Sequence, residues 1–513
     1  MSDRLVCPMK KPWKTSPTVA PNAKPWQRFV LVATLVMAIA VFSNVYLTPA
    51  IARDLENQPK THDQLTFPPL PEINLPEYER YTLPNGLVVY LMPDRRLPLV
   101  SGSVVMRAGS RWEPADQVGL AQLTGTTMRL GGTEQNSPAQ LNNLLEQKAA
   151  AIETSIGTSS GSASFSSLSK DFDLVFDLFA QVLQTPAFDE AQIALAKNQL
   201  RGAIARRNDD PGDIASREFS KMLYGPTSPY ARTVEYQTLA NIDRQAIIDF
   251  HRRYVRPDQM ILGIVGDFDS ETIKQTIAER FGNWQGSGTV PQLTPPSASQ
   301  VNDSEVFLVN LPHVTQSNVL LGQIGGMVDS PDYAALSVMN GVLGGFAGRL
   351  FNNIRSTQGL AYSVSGSWQA AYDYPGYFLA GGPTRTETTV QFLQSLLQEF
   401  EKLRITEVTA EELAYAKDSI LNSFVFNFER PGQTLSRLMT YEYYGYPEDF
   451  IFTYQQAVMD TTVEDVQRVA AKYLQPEQMI AVIVGQGDRL KDELEALDRR
   501  VQMLEIAIPE ASS

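Results

Sequence analysis

The strongest constraint on this chain is that part of it occurs twice. Tyr254-Val255-Arg256-Pro257-Asp258-Gln259-Met260-Ile261-Leu262-Gly263-Ile264-Val265-Gly266 returns as Tyr473-Leu474-Gln475-Pro476-Glu477-Gln478-Met479-Ile480-Ala481-Val482-Ile483-Val484-Gly485, displaced by a constant 219 residues. In each copy a helical stretch ends near the tyrosine, proline breaks it, and an apolar run closing at glycine reads as a buried strand. A chance likeness of two buried strands would not keep the spacing of Tyr, Pro, Gln, Met and Gly. We therefore read an internal duplication, and search for the boundary between its copies.

That boundary is visible in composition. Residues 286–304 are rich in Gly, Pro, Ser and Thr and have no apolar period, as expected of a linker between independently folded halves. Each half mixes strand patterns, such as 100–107 and 305–310, with long helical ones, such as 189–208 and 390–403. Strands and helices are not evenly interleaved, so the expected class is α+β, with two homologous α+β domains, each a sheet packed with helices. The expected division is an N-terminal domain over 79–285, a linker over 286–303, a C-terminal domain over 304–505 and a tail over 506–513. A mixed-charge stretch over 491–500 reads as a solvated C-terminal helix face. At 513 residues with 43% hydrophobic composition, the chain is long enough for two large cores.

Ahead of the first domain lies a different kind of sequence. Six basic side chains, from Arg4 to Arg28, precede an apolar run from residue 29 that weakens toward Leu47, and Ala50-Ile51-Ala52 supplies small residues in cleavage-site spacing. Residues 1–52 thus read as a signal peptide or an N-terminal membrane anchor, since a stretch over 29–47 is just long enough to span a bilayer. In both cases the basic flank keeps the N-terminus in the cytoplasm and places the body on the non-cytoplasmic side, the periplasm or its equivalent. Residues 53–78 are polar and Pro-rich and read as a tether. Net charge is -14, and residues 1–52 hold six of the 43 basic but one of the 57 acidic side chains, so the exported body is more acidic still. Such a surface argues against nucleic acid as a partner, because binding phosphates requires displacing their counterions with cations. The single cysteine, Cys7, allows no disulfide or thiolate metal site within one chain.

Specific motifs now resemble a family. Tyr81-Thr82-Leu83-Pro84-Asn85-Gly86-Leu87-Val88-Val89, the Arg107-Ala108-Gly109-Ser110-Arg111 that follows a strand, and the segment from Gly119-Leu120-Ala121 to Gly132-Thr133 resemble the N-terminal domain of pitrilysin/insulinase-family peptidases, most nearly the mitochondrial processing peptidase branch. The resemblance covers about residues 79–490. It implies two homologous α+β domains and chains that often pair around a closed peptide chamber. Active members carry H-x-x-E-H on the helix after Gly-Leu-Ala, with two histidines on one face for zinc, a glutamate to deprotonate the bound water, and a further glutamate ligand downstream. At these positions this sequence has Gln122, Thr126, Gly125 and Gly202-Ala203. Neutral Gln and Thr are too weak as ligands to hold a catalytic zinc. The only histidines, His62, His251 and His313, are too scattered for a helical pair.

A second motif is kept. Gly348-Arg349-Leu350-Phe351, Arg355 and Gly359-Leu360-Ala361-Tyr362-Ser363-Val364 resemble the segment in which the family places an arginine and a tyrosine across the chamber from zinc. The resemblance makes Arg355 and Tyr362 substrate-binding residues: a guanidinium offers fixed donors to peptide oxygens, and a phenol can donate to an oxyanion. Ser356 departs from the acidic residue common after that arginine. Gly157-Thr158-Ser159-Ser160-Gly161 matches a nucleophile-elbow string, but the alternation over 162–167 predicts a strand where the elbow needs a helix. Gly341, Gly344, Gly345 and Gly348 lack the lysine of a phosphate loop.

These readings lead to one expected function and one alternative. The first is a metallopeptidase homologue, inactive alone, that binds no cofactor and serves as the substrate-binding subunit of a heterodimer whose zinc-bearing relative hydrolyses the peptide or unfolded protein. The alternative is a structural or assembly subunit of a membrane complex with no part in proteolysis.

Overall fold

The computed structural model describes residues 75–345 and 347–509. The signal or anchor segment and nearly all of the tether lie outside these residues, as does His62. Tyr78, expected at the end of the tether, already belongs to the body: its ring lies 5.8 Å from that of Tyr90, and its hydroxyl donates to Glu448 at 3.0 Å. Among the described residues, no helix is long and apolar enough to cross a membrane.

Two six-stranded sheets organise the body. The first contains β1 (Glu79–Thr82), β2 (Val88–Pro93), β3 (Leu99–Met106), β4 (Ala151–Ile156), β5 (Gly161–Leu168) and β6 (Met260–Gly266), in the order β1-β2-β6-β3-β5-β4. The second contains β7 (Glu305–Asn310), β8 (Gln316–Ile324), β9 (Ser365–Gln369), β10 (Tyr377–Arg385), β11 (Ile480–Gly485) and β12 (Arg500–Met503), in the order β12-β7-β11-β8-β10-β9. Five strands correspond one to one, and in both sheets the repeated strand, β6 or β11, pairs parallel on one side and antiparallel on the other. The sixth strands do not correspond. β1 precedes β2 and pairs antiparallel with it, whereas β12 comes from the chain's far end and pairs parallel with β7.

The repeated strands are apolar throughout because both their faces are covered, as for other centrally buried strands. On one face lie helices of the same half. Leu120–Leu130, Phe172–Gln184, Arg244–Tyr254 and Ser270–Phe281 belong to the first half, and there Val104, Leu262 and Ile264 share a core with Phe165, Phe176 and Phe179. Tyr333–Leu343, Thr389–Ile405, Val463–Tyr473 and Gly487–Glu495 belong to the second, where Val319, Phe378 and Ile483 meet Phe392, Leu396 and Phe400.

On the opposite face the halves exchange helices. The helix Pro431–Tyr444 brings Leu435, Leu438 and Met439 onto Tyr90, Met92 and Ile261 of the first sheet. A methyl group on Gly263 would sit 2.3 Å from Met439 Sδ, so the helix approaches where β6 has no side chain. Reciprocally, Pro211–Tyr224 from the first half brings Phe219 and Leu223 onto Phe307, Ile480 and Val482 of the second sheet. There Gly322 leaves room for the Phe219 ring. Each half thus supplies part of the other's core, a sharing that the linker between halves does not reveal in the sequence. The Gly- and Pro-rich connector is itself bound down, with Val301 N donating to Leu223 O at 2.9 Å and Tyr230 Oη to Pro296 O at 2.7 Å.

The C-terminus also differs from expectation. The helix ends at Glu495 rather than continuing to Arg500, because a turn with Asp498 at φ 55° releases Arg500–Met503 to pair with β7. The segment after residue 505, read as a tail, crosses back to the first half: Asn208 Nδ2 donates to Ile506 O at 2.7 Å and Ile508 packs on the N-terminal core. At the other end of that sheet, Asn340 accepts from the Trp368 N–H at 2.6 Å and donates to its carbonyl at 2.9 Å, closing the outer side of β9 there.

Candidate functional site

The segment at the lost zinc positions is held firmly. The helix Leu120–Leu130 begins at Gly119, whose φ of 107° favours glycine. The buried Glu113 carboxylate accepts from Gly119 N at 3.1 Å and Ala121 N at 2.8 Å, satisfying N–H groups that a helix start leaves open. Burial raises the Glu113 pKa, and those two N–H groups together with Arg232 hold it back. No sequence motif singles out Glu113, although it stands two residues after Arg111.

On this helix Gln122 is exposed, Thr126 is half-buried and Gly125 is buried. Gly125 lies directly against β4: a Cβ there would be 2.5 Å from Ile156 N and 2.8 Å from the Ser155 carbonyl carbon, and Thr154 Oγ1 donates to Gly125 O at 2.6 Å. Backbone thus fills the space a general base would need. The helix Glu190–Arg206 packs along Leu120–Leu130, so the structure brings together the two elements that would carry ligands, and Ala203 is exposed on it. Among the described residues, no group of three His, Cys, Asp or Glu side chains is placed to hold a metal ion. His313 is exposed, whereas His251 is buried with Nε2 2.8 Å from Leu183 O and its ring against Phe188. Burial lowers its pKa to about 4, so the neutral ring donates Nε2–H to that carbonyl and serves packing. The Gly157–Gly161 string is the hairpin turn between β4 and β5, with a strand after it as predicted.

Arg355 and Tyr362 are brought together. Arg355 lies on a single π-helical segment, Phe351–Thr357, with its guanidinium carbon 4.4 Å from the Phe351 ring centre and 5.2 Å from that of Tyr362. No carboxylate among the described residues pairs with it. Tyr362 is 81% exposed. Three contacts anchor this segment: Arg349 makes a bidentate pair with Glu412 at 2.7 and 2.9 Å, Asn353 donates to the buried Glu399 at 2.8 Å, and Ser395 donates to Gln358 at 2.8 Å. Arg349, Asn353, Glu399 and Glu412 also line a 590 Å³ cleft beside it. Gly359 turns the chain at φ 64°, and Thr384 Oγ1 bonds Leu360 O at 2.7 Å, fixing Ala361 against β10 and Tyr362 outward.

The helix before this segment is fixed through Asp332, which accepts from Arg468 Nη1 and Lys472 Nζ at 2.7 Å and from Tyr473 Oη at 2.8 Å. Burial pushes its carboxyl up, but those hydrogen bonds outweigh it and bring the pKa down from 3.8 to about 2. A carboxylate depressed on folding stabilises above its unfolded pKa and loses that contribution as pH falls through its folded one. We expect Asp332→Asn to cost about 1–2 kcal/mol near pH 6, reduced by solvent screening of the half-exposed cations. In urea unfolding at a series of pH values, the gap from wild type should close between pH ~4 and ~2. A gap constant across that window would contradict the assignment.

A part-buried ion pair and an aromatic stack join the halves nearby. Arg111 donates to both Asp373 oxygens, at 3.0 and 2.7 Å, and lies 4.3 Å from the Trp112 ring centre, while Tyr230 stacks on Tyr374 at 4.1 Å. The sequence reading quoted Arg111 only as part of a motif, since its partner stands 262 residues away.

Two sheet-and-helix domains that match in five of their six strands, with a peptidase-type helix that has no zinc ligands, define a peptidase-like chain without the metal site. The family model for the insulinase family, peptidase family M16, matches residues 90–229, and the model described as the peptidase M16 inactive domain matches residues 241–420. The chain belongs to the insulinase family, peptidase family M16, as a member lacking the zinc site. It is 25% identical over 363 residues to the uncharacterized zinc protease YmxG of Bacillus subtilis, covering 70% of this chain and 86% of that one. It is 23% identical over 397 residues to the non-peptidase homolog YmxG of Helicobacter pylori, covering 76% and 89%. Among solved structures, the peptidase M16 inactive domain from Pseudomonas fluorescens has the same fold, with a TM-score of 0.72 at 24% identity over 80% of this chain and 98% of that one.

Proposed function

We propose that this chain is the non-catalytic, substrate-binding subunit of a heteromeric insulinase-like zinc metallopeptidase. A zinc-bearing relative hydrolyses the peptide, and this chain supplies Arg355 and Tyr362. The observation that carries the reading is the unpaired Arg355 guanidinium beside the outward-facing Tyr362 ring, on a segment anchored at three points. An arginine without an internal carboxylate keeps donors for peptide carbonyls, and the adjacent phenol can donate to the oxyanion formed as the bond is attacked. The absence of the family's zinc ligands from this chain, with Gln122, Thr126 and Ala203 in their places, and the backbone against Gly125 support a reading in which hydrolysis falls to a partner.

The body of the protein is proposed to lie on the non-cytoplasmic side, exported or anchored through residues 29–47. Motivation comes from the basic flank and apolar run alone.

Affinity purification of the full chain, followed by a peptidase assay, tests the proposal. A relative with an intact H-x-x-E-H should co-purify, and Tyr362→Phe, which removes the oxyanion donor, should lower the complex's turnover by roughly 10²–10³ with assembly intact, the scale seen for loss of a transition-state donor. If no such relative associates, or if turnover is unchanged in the variant, the proposal is wrong.

A further inference from the structure

A second cleft, of 430 Å³, lies on the exposed side of the helix Pro431–Tyr444, away from Leu435, Leu438 and Met439. Gln433, Ser436, Arg437 and Thr440 form its floor, and Tyr372 and Phe426 contribute its aromatic walls. Arg437 is the only charged side chain lining it. Its Nη1 donates to Tyr441 Oη at 3.3 Å and its Nη2 to Asn427 Oδ1, both neutral acceptors, and no carboxylate among the described residues pairs with it. Those two bonds leave one N–H on each terminal nitrogen. In a chain of net charge -14, a cation in a cleft without a counter-ion is a site for an anionic group.

The walls show what else the ligand carries. Phe424 is buried and Phe428 stacks on Phe452 at 5.8 Å, so the loop is held at both ends while Phe426 between them remains 62% exposed. Across the cleft, Tyr372 stacks on Tyr444 at 4.6 Å and 8°, and Tyr446 Oη donates to its carbonyl at 2.9 Å. A held aromatic ring, Tyr372, and an exposed one, Phe426, beside one guanidinium suit a carboxylate attached to an apolar group.

We propose that this cleft binds a peptide carboxylate, with the carboxylate on Arg437 and the adjoining apolar group against Phe426 and Tyr372. Choosing a peptide as the carrier rests on the function proposed above; the carboxylate chemistry does not. A C-terminal carboxylate and an acidic side chain share this chemistry and are separated by the probes.

Fluorescence anisotropy on the full chain would use three labelled peptides: one ending in leucine with a free carboxylate, its C-terminal amide, and the amide with one internal glutamate. The wild type should prefer the free acid to the amide by about tenfold, the effect of one charge-assisted hydrogen bond. Arg437→Gln should abolish that preference, and Ser436→Glu, which adds a negative charge at an exposed cleft position without touching the Asn427 and Tyr441 contacts, should do the same. Tight binding of the internal-glutamate amide assigns the site to acidic side chains; weak binding assigns it to the terminus. Equal affinity of wild type for acid and amide, or a preference that survives both substitutions, overturns the proposal. Failure of the peptidase-subunit reading would appear in co-purification and turnover, and failure of this site only in the acid-over-amide preference of the full chain, so the two give different results.

Discussion

Replacing Phe219 with alanine is expected to destabilise the second sheet, although the residue lies in the first half of the chain. Its ring is 2% exposed, packs with Phe307, Ile480 and Val482, and meets Tyr377 edge-on at 6.1 Å. Removing a buried phenylalanine ring leaves a cavity as well as losing transfer energy, a cost of about 3–5 kcal/mol. Because each half covers a face of the other's sheet, the loss should appear in one cooperative unfolding transition. Urea unfolding followed by far-UV circular dichroism and by tryptophan fluorescence provides the check. Coincident curves shifted to lower urea support the interlock. Two separate transitions, with the one reporting on the second sheet unmoved, would show that the helix exchange contributes nothing to stability.

The second large effect concerns the lost metal site. Writing histidines back at Gln122 and Thr126 and glutamate at Ala203 should be tolerated, since Gln122 and Ala203 are exposed and Thr126 is half-buried. Adding Gly125→Glu should not be, because the new Cβ would fall 2.5 Å from Ile156 N, and the neighbour that must yield is the backbone of β4. We expect a further loss of at least ~3 kcal/mol from the clash and the buried charge. Thermal melts with and without zinc, together with a peptidase assay, compare the two variants. The four-substitution variant should gain neither zinc-dependent stabilisation nor hydrolysis. A stable, zinc-binding, hydrolytic product would mean that β4 yields easily and that only side chains were lost.

Much of this architecture was legible in the sequence because its signals are local. The 219-residue repeat located β6 and β11, and the strand expected over 305–310 is β7 as it stands. Asp189 was placed at the start of a long helix, and its side chain caps that helix by accepting from Gln192 N at 3.0 Å. The helix exchange was not legible. Amphipathicity shows that a helix has an apolar face but not which sheet that face meets. A trace was present nonetheless: Pro211-Gly212 and Pro431-Gly432 open the exchanged helices, and Tyr224-Gly225 and Tyr444-Gly445 close them. Their intervening residues diverge because each fits a different sheet. β12 was missed for a related reason, as four residues ending a charged stretch carry no alternation strong enough to outvote the helix before them.

At the candidate site, the family resemblance of the surrounding motif was enough to name Arg355 and Tyr362, and the structure adds the two aromatic rings, Phe351 and Tyr362, beside the guanidinium. Arg437 gave no signal, because an arginine on a helix ordinarily reads as solvated surface. What marks it is its place as the one charged side chain lining a cleft, with only neutral hydrogen-bond acceptors among the described residues, a property of three-dimensional surroundings.

The pairing of Asn340 with Trp368 bears on the protein's solubility. A sheet's outermost strand offers unpaired N–H and C=O groups in register with any extended chain that drifts past, and proteins blunt such strands to avoid clumping. Here one side-chain amide imitates the missing neighbour, giving Trp368 a donor and an acceptor while adding no strand that could in turn be extended. A five-residue strand with its fourth residue occupied in this way is a poorer template for another copy of the chain, so this end of the second sheet should resist edge-to-edge pairing.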